Sequence, residues 1–499
     1  MAFLPELVLL LGALALFVLS LGEGRDRAAQ RVVTGVAAAA VLAALAAWPA
    51  RAELFEGAYR VDAFSQWLKL VLAAGFGLVV LQQGGLPDIP AAVQPEYHLF
   101  LTLSVTGLML LVSCIEVITL FVALELASLP LYFLVAMRRE RAGQRVQMES
   151  AIKYLLFGVT ANGLMLFGLS YLFGLTGTTV LPEMVGRLSH APPAAAVTGL
   201  ALAFCGLFYK LAIFPFHFWT PDVYQGASNE TAGYLASLPK LGAVAVFVRF
   251  AALAPLDAPD ARVLPALFTA LALASMFYGN LIALAQTDLK RLLGFSGIAH
   301  AGYALVGFVA LNEAGYLAAL YYTVAYLCMA LACFAVFSFL APHGANLALG
   351  DLAGLHRRAP LLAVTLAVGV FGLAGIPPLA GFLGKFTLLS AAWAKGHTVL
   401  VLLMVVNTAI AVYYYLALFR EAFFRDPPEP APEPVRLGWP TRALCLTLIA
   451  AILALGVVPG RFLETVSRSL AWTRPGPVLT GQTPVAEAAA PPAPVGDQR

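Results

Sequence analysis

The chain has 499 residues, of which 61% are hydrophobic and only 11% charged, too little charge to clothe a soluble protein of this size. A formal net charge of +3, with no basic stripe interleaved with aromatics, excludes a nucleic-acid partner. Apolar runs long enough to cross a bilayer recur from end to end and are continuous rather than alternating, which predicts an all-α polytopic membrane protein and excludes a transmembrane barrel.

Hydropathy predicts about fourteen spans. In chain order they cover residues 3–21, 32–47, 64–81, 97–115, 117–137, 151–175, 197–218, 231–253, 263–285, 292–311, 314–340, 361–393, 399–424 and 441–458. The first has no basic flank or small-residue cleavage site and reads as a retained span. The segment 361–393 is too long for a simple crossing and holds Pro377, Pro378, Gly381 and Gly384. Arginines and lysines concentrate after the odd-numbered spans, as in Arg25, Arg27 and Arg31, Arg138 to Arg145, Lys290 and Arg291, Arg357 and Arg358, and Arg425 and Arg436. The positive-inside rule then places odd loops in the cytoplasm and both termini outside. Beyond Trp472 a Pro/Ala-rich stretch is expected to be a disordered tail.

Four charges lie deep within spans and close to helix breakers: Glu125, Lys210, Lys240 and Lys385. A charge at the bilayer centre costs roughly 2.5–3.5 kcal/mol even on lenient scales, so such residues are rare and usually functional. Each lies near a helix breaker: Pro130, Pro215, Pro239, and the Pro377-Pro378 pair with its glycines. A helix-interior proline frees the carbonyl four residues earlier, here Leu126, Leu211, Leu235, Leu373 and Ala374, and freed backbone at membrane depth survives only where protein or water meets it. Each site is therefore expected to be broken and hydrated. A lysine beside a movable carboxylate can gain and lose a proton, which an arginine cannot, so Glu125 and Lys210 read as a unit. The bland alternative is a snorkelling or statically bridged lysine, which suits Lys385 better than mid-span Lys240. His217 and His300 are possible relays, with His300 in GFSGIAHAGY placed to lie on the path. Glu149 and Lys153 form an ordinary i,i+4 pair, Lys69 reads as a snorkelling side chain, Glu116 as a membrane-boundary residue, and Asp288, Lys290 and Arg291 as a topological turn.

Cys114, Cys205, Cys328, Cys333 and Cys445 are scattered without metal spacing and read as buried hydrophobes. No dinucleotide, P-loop, zincin or cluster motif is present, so no redox cofactor or metal is expected on the chain.

The segments LELASLPLY (124–132), ESAIKYLLFG (149–158), YKLAIFPFHFWTPDVYQGA (209–227), TDLKRLLGFSGIAHAGY (287–303) and GLAGIPPLAGFLGKF (372–386) resemble the antiporter-like membrane subunits of respiratory complex I, and among these the subunit N branch. The resemblance spans everything up to Trp472. It implies two inverted five-helix repeats with broken helices at spans 7 and 12, dividing the chain into 1–96, 97–255, 256–425, 426–472 and the tail 473–499. It carries proton-transfer roles to Glu125, Lys210, Lys240 and Lys385. It also implies a bacterial inner-membrane location, other membrane subunits of the complex as partners, further antiporter-like ones among them, and FMN, iron–sulfur clusters and quinone held by partner subunits. Pro239 directly before Lys240 departs from the family pattern and is expected to shift that lysine's depth. A Na⁺/H⁺ antiporter subunit, a membrane-bound hydrogenase subunit and a passive scaffold are the rival readings.

Overall fold

The computed structural model describes residues 1–84, 86–140, 145–253, 263–427 and 434–470; the predicted tail 473–499 lies outside them. Every predicted span falls on a helix or, at 197–218 and 361–393, on two. Among the described residues eleven segments are long and apolar enough to cross a membrane by length and composition, Pro193–Leu211 in the first broken span among them, whereas Pro360–Ala374 in the second is shorter.

The bundle is layered by burial. The segments Asn229–Ala251, Leu289–Val309 and Glu313–Leu340 are enclosed almost throughout, whereas Asp26–Ala47, Val146–Thr176, Val263–Ala283 and Trp439–Val457 leave most of their apolar surface outward. Lipid is as apolar as leucine, so such helices associate by close packing and polar contacts. Small residues make that possible at the seams. A Cβ on Gly107 would sit 2.3 Å from the backbone nitrogen of Ala127, and one on Gly279 2.6 Å from that of Ala299.

Loop contacts obey the predicted alternation. Arg138, after the fifth span, bonds Asp88 after the third, the carbonyls of Gln225 and Gly226 after the seventh, and that of Gly344 after the eleventh. At the other end, Arg249 joins Asp62 and the carbonyl of Val112, and Glu116 pairs with Val180. Odd loops meet odd and even loops meet even, so the described chain has two distinct faces.

Several expectations need correction. The helices Val117–Ala136 and Asn229–Leu253 run through Pro130 and Pro239 unbroken, because one missing hydrogen bond removes a single rung that neighbours can offset. Lys240, directly after Pro239, is 2% exposed. Lys69 does not snorkel: it is fully buried and ion-paired with Glu6 at 2.7 Å. Lys290 is no exposed turn residue but points inward, 1% exposed, donating to the carbonyl of Ala227 at 2.6 Å. The fold class is all-α as expected, with one short antiparallel hairpin, Ala52–Leu54 paired with Tyr59–Val61, on the even-loop face. The Glu149–Lys153 pair forms as expected, Glu116 caps Val117–Ala136, and the five cysteines are free and buried.

Candidate proton path

The two broken spans contain the same turn built twice. Cys205–Leu211 ends at Ala212, φ 64°, and Pro360–Ala374 ends at Gly375, φ 87°. At the first, Ala212 and Ile213 donate to the carbonyls of Tyr209 and Phe208, and Phe216 donates to Ile213. At the second, Gly375 and Ile376 donate to Gly372 and Phe371, and Leu379 donates to Ile376. Phe214-Pro215 and Pro377-Pro378 occupy the same place in each. In this register Lys210 matches Leu373, and Asp222 matches Lys385. The two copies carry their lysines on opposite sides of the break.

Lys210 is 7% exposed and its amino group has no hydrogen-bond partner among the described residues. It lies over the ring of Tyr209 at 5.5 Å and within the field of Glu125. Among the described residues no ion pair joins Glu125 to Lys210. The carboxylate instead accepts a hydrogen bond from the amide of Asn162. Glu125 is only half-buried and sits in a stripe of exposed apolar side chains, Ile118, Val122, Leu129 and Phe133, on its helix. The expected unit is therefore two groups held apart, with the acid on an outer face and the base inside.

Lys385, 4% exposed, donates to the carbonyls of Leu373 and Ala374 at 3.0 and 3.1 Å. These are the carbonyls that the doubled proline was expected to free. The lysine acts as their cap, which removes the snorkelling alternative.

Lys240 donates to the carbonyl of Gly297 at 3.1 Å and lies 5.0 Å from the ring centre of Tyr326. The matched seams Gly107–Ala127 and Gly279–Ala299 put Gly297 at the second-repeat position of Glu125, so where the first repeat has an acid the second offers a bare carbonyl to Lys240. A small cavity beside it is lined by Leu211, Lys240, His300, Tyr322, Thr323 and Tyr326, with about 10 Å³ for a water centre, room for roughly one water molecule. His300 continues the line: Nδ1 lies 2.5 Å from the Tyr322 hydroxyl and Nε2 2.9 Å from that of Tyr415, and the fields of both Lys240 and Lys385 reach it. Tyr303 then packs against His300 on one side and under the amino group of Lys385, at 4.8 Å, on the other. The structure thus brings Lys240, His300 and Lys385 into one buried run bridged by tyrosine rings, and Leu211, the residue after Lys210, lines the cavity beside it. His217, by contrast, is boxed by Phe214, Phe218 and Tyr278 with neither nitrogen bonded.

Buried groups that hydropathy alone did not pair are Glu6–Lys69, Asp62–Arg249 and Asp88–Arg138. Their partners are far apart in sequence, so no spacing rule finds them. Among the described residues no cluster of metal-ligating side chains occurs.

The sequence pattern of the NADH:quinone oxidoreductase/Mrp antiporter transmembrane family matches residues 114–411, so the class is an antiporter-like, multi-pass membrane subunit. A relative from Opitutus terrae, NADH-quinone oxidoreductase subunit N 2, is 59% identical over 94% of this chain and 98% of its own length. One of the same name from Solidesulfovibrio magneticus is 45% identical over 95% and 99%. A chain of respiratory complex I from Thermus thermophilus superposes with a TM-score of 0.79 at 33% identity, covering 93% of this chain and 99% of that one. A chain of the Mrp complex from Dietzia sp. DQ12-45-1b, TM-score 0.83 at 21% identity, shares the fold alone. The chain belongs to the subunit N family of NADH-quinone oxidoreductase.

Proposed function

We propose that the chain carries protons across the membrane as a subunit of NADH:quinone oxidoreductase, through Glu125, Lys210, Lys240, His300 and Lys385. FMN, iron–sulfur clusters and the quinone belong to partner subunits in this reading. The neighbours are other membrane subunits, antiporter-like ones included, and both termini face away from the cytoplasm of a bacterial inner membrane. The observation that carries the reading is the buried run of Lys240, His300 and Lys385, bridged by the packed rings of Tyr326 and Tyr303, together with an unpartnered buried amino group at Lys210.

An unpartnered buried ammonium is costly, and an approaching carboxylate offsets that cost. Redox-driven movement of charge at the half-exposed Glu125 would change that balance. Lys210 would then exchange a proton with the single-water cavity next to Leu211. Neutral Lys240 accepts from that water, and His300 with its two tyrosines passes the proton to Lys385. Moving one charge against the membrane potential takes about 2.3 kcal/mol per 100 mV, which a change in one buried ion pair is large enough to supply. The test is Lys210→Ala in the assembled complex, reconstituted in vesicles. Proton pumping and coupled quinone reduction are expected to fall severalfold, and full retention of both refutes the role.

A Na⁺/H⁺ antiporter subunit is the second reading; the Mrp chain shares the fold and nothing more. Purifying the native assembly separates the two: NADH-, flavin- and iron–sulfur-binding partners support the first, and cation-transporter partners the second.

A further inference from the structure

A second group of buried polar side chains lies off the lysine line, at the face where odd loops meet. Glu230, in the first turn of Asn229–Leu253, is 1% exposed and its Oε2 has no partner. Ser228 hydrogen-bonds its carboxylate, and Ser228 and Tyr97 each lie within hydrogen-bond distance of the Thr231 hydroxyl, at 2.9 and 3.1 Å. The charged groups that bear on it are Asp88 and Lys290. Arg138 stands against Lys290 while bonding Asp88.

The surroundings are short of partners. Both nitrogens of His98, both amide atoms of Asn229 and of Gln83, and Oε1 of Gln82 are buried without a hydrogen bond. The ring of His98 packs 5.8 Å from that of Tyr97, and the Gln82 amide fills the space that Gly233 leaves.

Glu230, Gly233, Ser237 and Lys240 follow the spacing i, i+3, i+7 and i+10, one face of a helix over about 15 Å of rise. On this face the Gln82 amide occupies the space beside Gly233, and Ser237 carries a small hydroxyl bonded back to the Gly233 carbonyl at 2.7 Å. The stripe leads from the odd-loop face to the single-water cavity at Lys240.

We propose that Glu230 is a proton-uptake site, taking protons from water at the odd-loop face and delivering them along the Gly233–Ser237 stripe to Lys240. The carboxylate binds a proton from a hydrated one, the acid passes it to the first water of the file, and the last water gives one to the neutral amine of Lys240. No electron moves, and each water regains the proton it gives. This rests on Lys240 being a proton carrier. A merely structural role fits the site poorly, since glutamine would fill the same space without burying a charge.

The test uses the whole complex in vesicles, with Glu230→Gln, Glu230→Asp and, as a reference, Lys240→Ala. Glu230→Gln is expected to slow pumping by about 10²-fold, the low end for a positioned acid–base group, and to remove one limb of the pH–rate profile. Glu230→Asp is expected to restore most of the rate with that limb displaced, and it serves alone if the glutamine variant does not assemble. Pumping by Glu230→Gln within twofold of the parent, or a loss that leaves the pH profile unchanged, overturns the proposal. If Lys240→Ala abolishes pumping in the same series, only the Glu230 assignment falls; if Lys240→Ala also pumps normally, the carrier role of Lys240 falls with it.

Discussion

The two broken helices share a turn bond for bond, yet treat their lysines in opposite ways. In the first copy Lys210 precedes the break and holds nothing. In the second Lys385 follows the break and holds the two carbonyls that the break exposes. The first copy satisfies its turn differently, with the Trp219 indole donating to the Tyr209 carbonyl at 3.1 Å. Asp222, at the position of Lys385, is spent on Lys153 and Arg291. Because the spans enter from opposite faces, the same backbone turn offers one free base and one anchored base at two stations of a single line. A base without partners changes protonation at small structural cost, whereas an anchored one must release its carbonyls to do so.

The largest expected effect is functional: Lys210→Ala lowers proton pumping and coupled quinone reduction severalfold, as set out above. The next separates the two copies by stability. Lys385→Ala leaves the Leu373 and Ala374 carbonyls unmet and is expected to destabilise the subunit by about 2 kcal/mol, the scale of hydrogen bonds to a charged group. Lys210→Ala removes a buried, unpartnered amine and is expected to leave thermal unfolding unchanged or raised. Equal losses in a thermal unfolding assay of the two variants would erase the distinction.

A smaller effect probes the turn itself. Gly375→Ala places a side chain at φ 87° and 3.2 Å from Cδ of Lys385, with a strain of about 1 kcal/mol and a displaced anchor. The matching Ala212→Gly relieves strain at φ 64° and gains a few tenths of a kcal/mol at most, since glycine also loosens the unfolded chain. The two substitutions should therefore move thermal unfolding in opposite directions, and a shared direction breaks the match between the turns.

The smallest expected effect concerns Asp222. Partial burial pulls its carboxyl upward, but the hydrogen bonds and charges of Lys153 and Arg291 outweigh this and hold it below the usual range. A carboxyl lowered in the folded state stabilises above its ordinary pKa, about 3.9, and that stability is lost as pH falls through the lowered value. Asp222→Asn should flatten the fall in thermal stability on acidification below about pH 4. An unchanged fall would show that this tether contributes nothing.

Span order and loop alternation were legible because membrane crossing leaves a one-dimensional record in hydropathy and in Arg/Lys placement. Lys240 and Lys385 were legible for the same reason, as charges where the solvent is lipid. The breaks were half-legible. Proline marks a lost hydrogen bond, but whether the helix stops depends on whether the next residues enter the left-handed turn, as Ala212 and Gly375 do and the residues around Pro130 and Pro239 do not. Pairings such as Glu6 with Lys69, and the inward turn of Lys290, depend on contacts between distant spans and leave no local trace. The separation of Glu125 from Lys210 was hidden for the same reason, since Asn162 intervenes from a third helix.

The central claim is that these amines change protonation rather than merely carry charge. Lys240→Arg in the reconstituted complex tests it most directly, because a guanidinium keeps the positive charge and does not give up its proton. The account predicts an assembled complex whose pumping is lost or reduced severalfold; pumping at the parental rate by the arginine variant would contradict it.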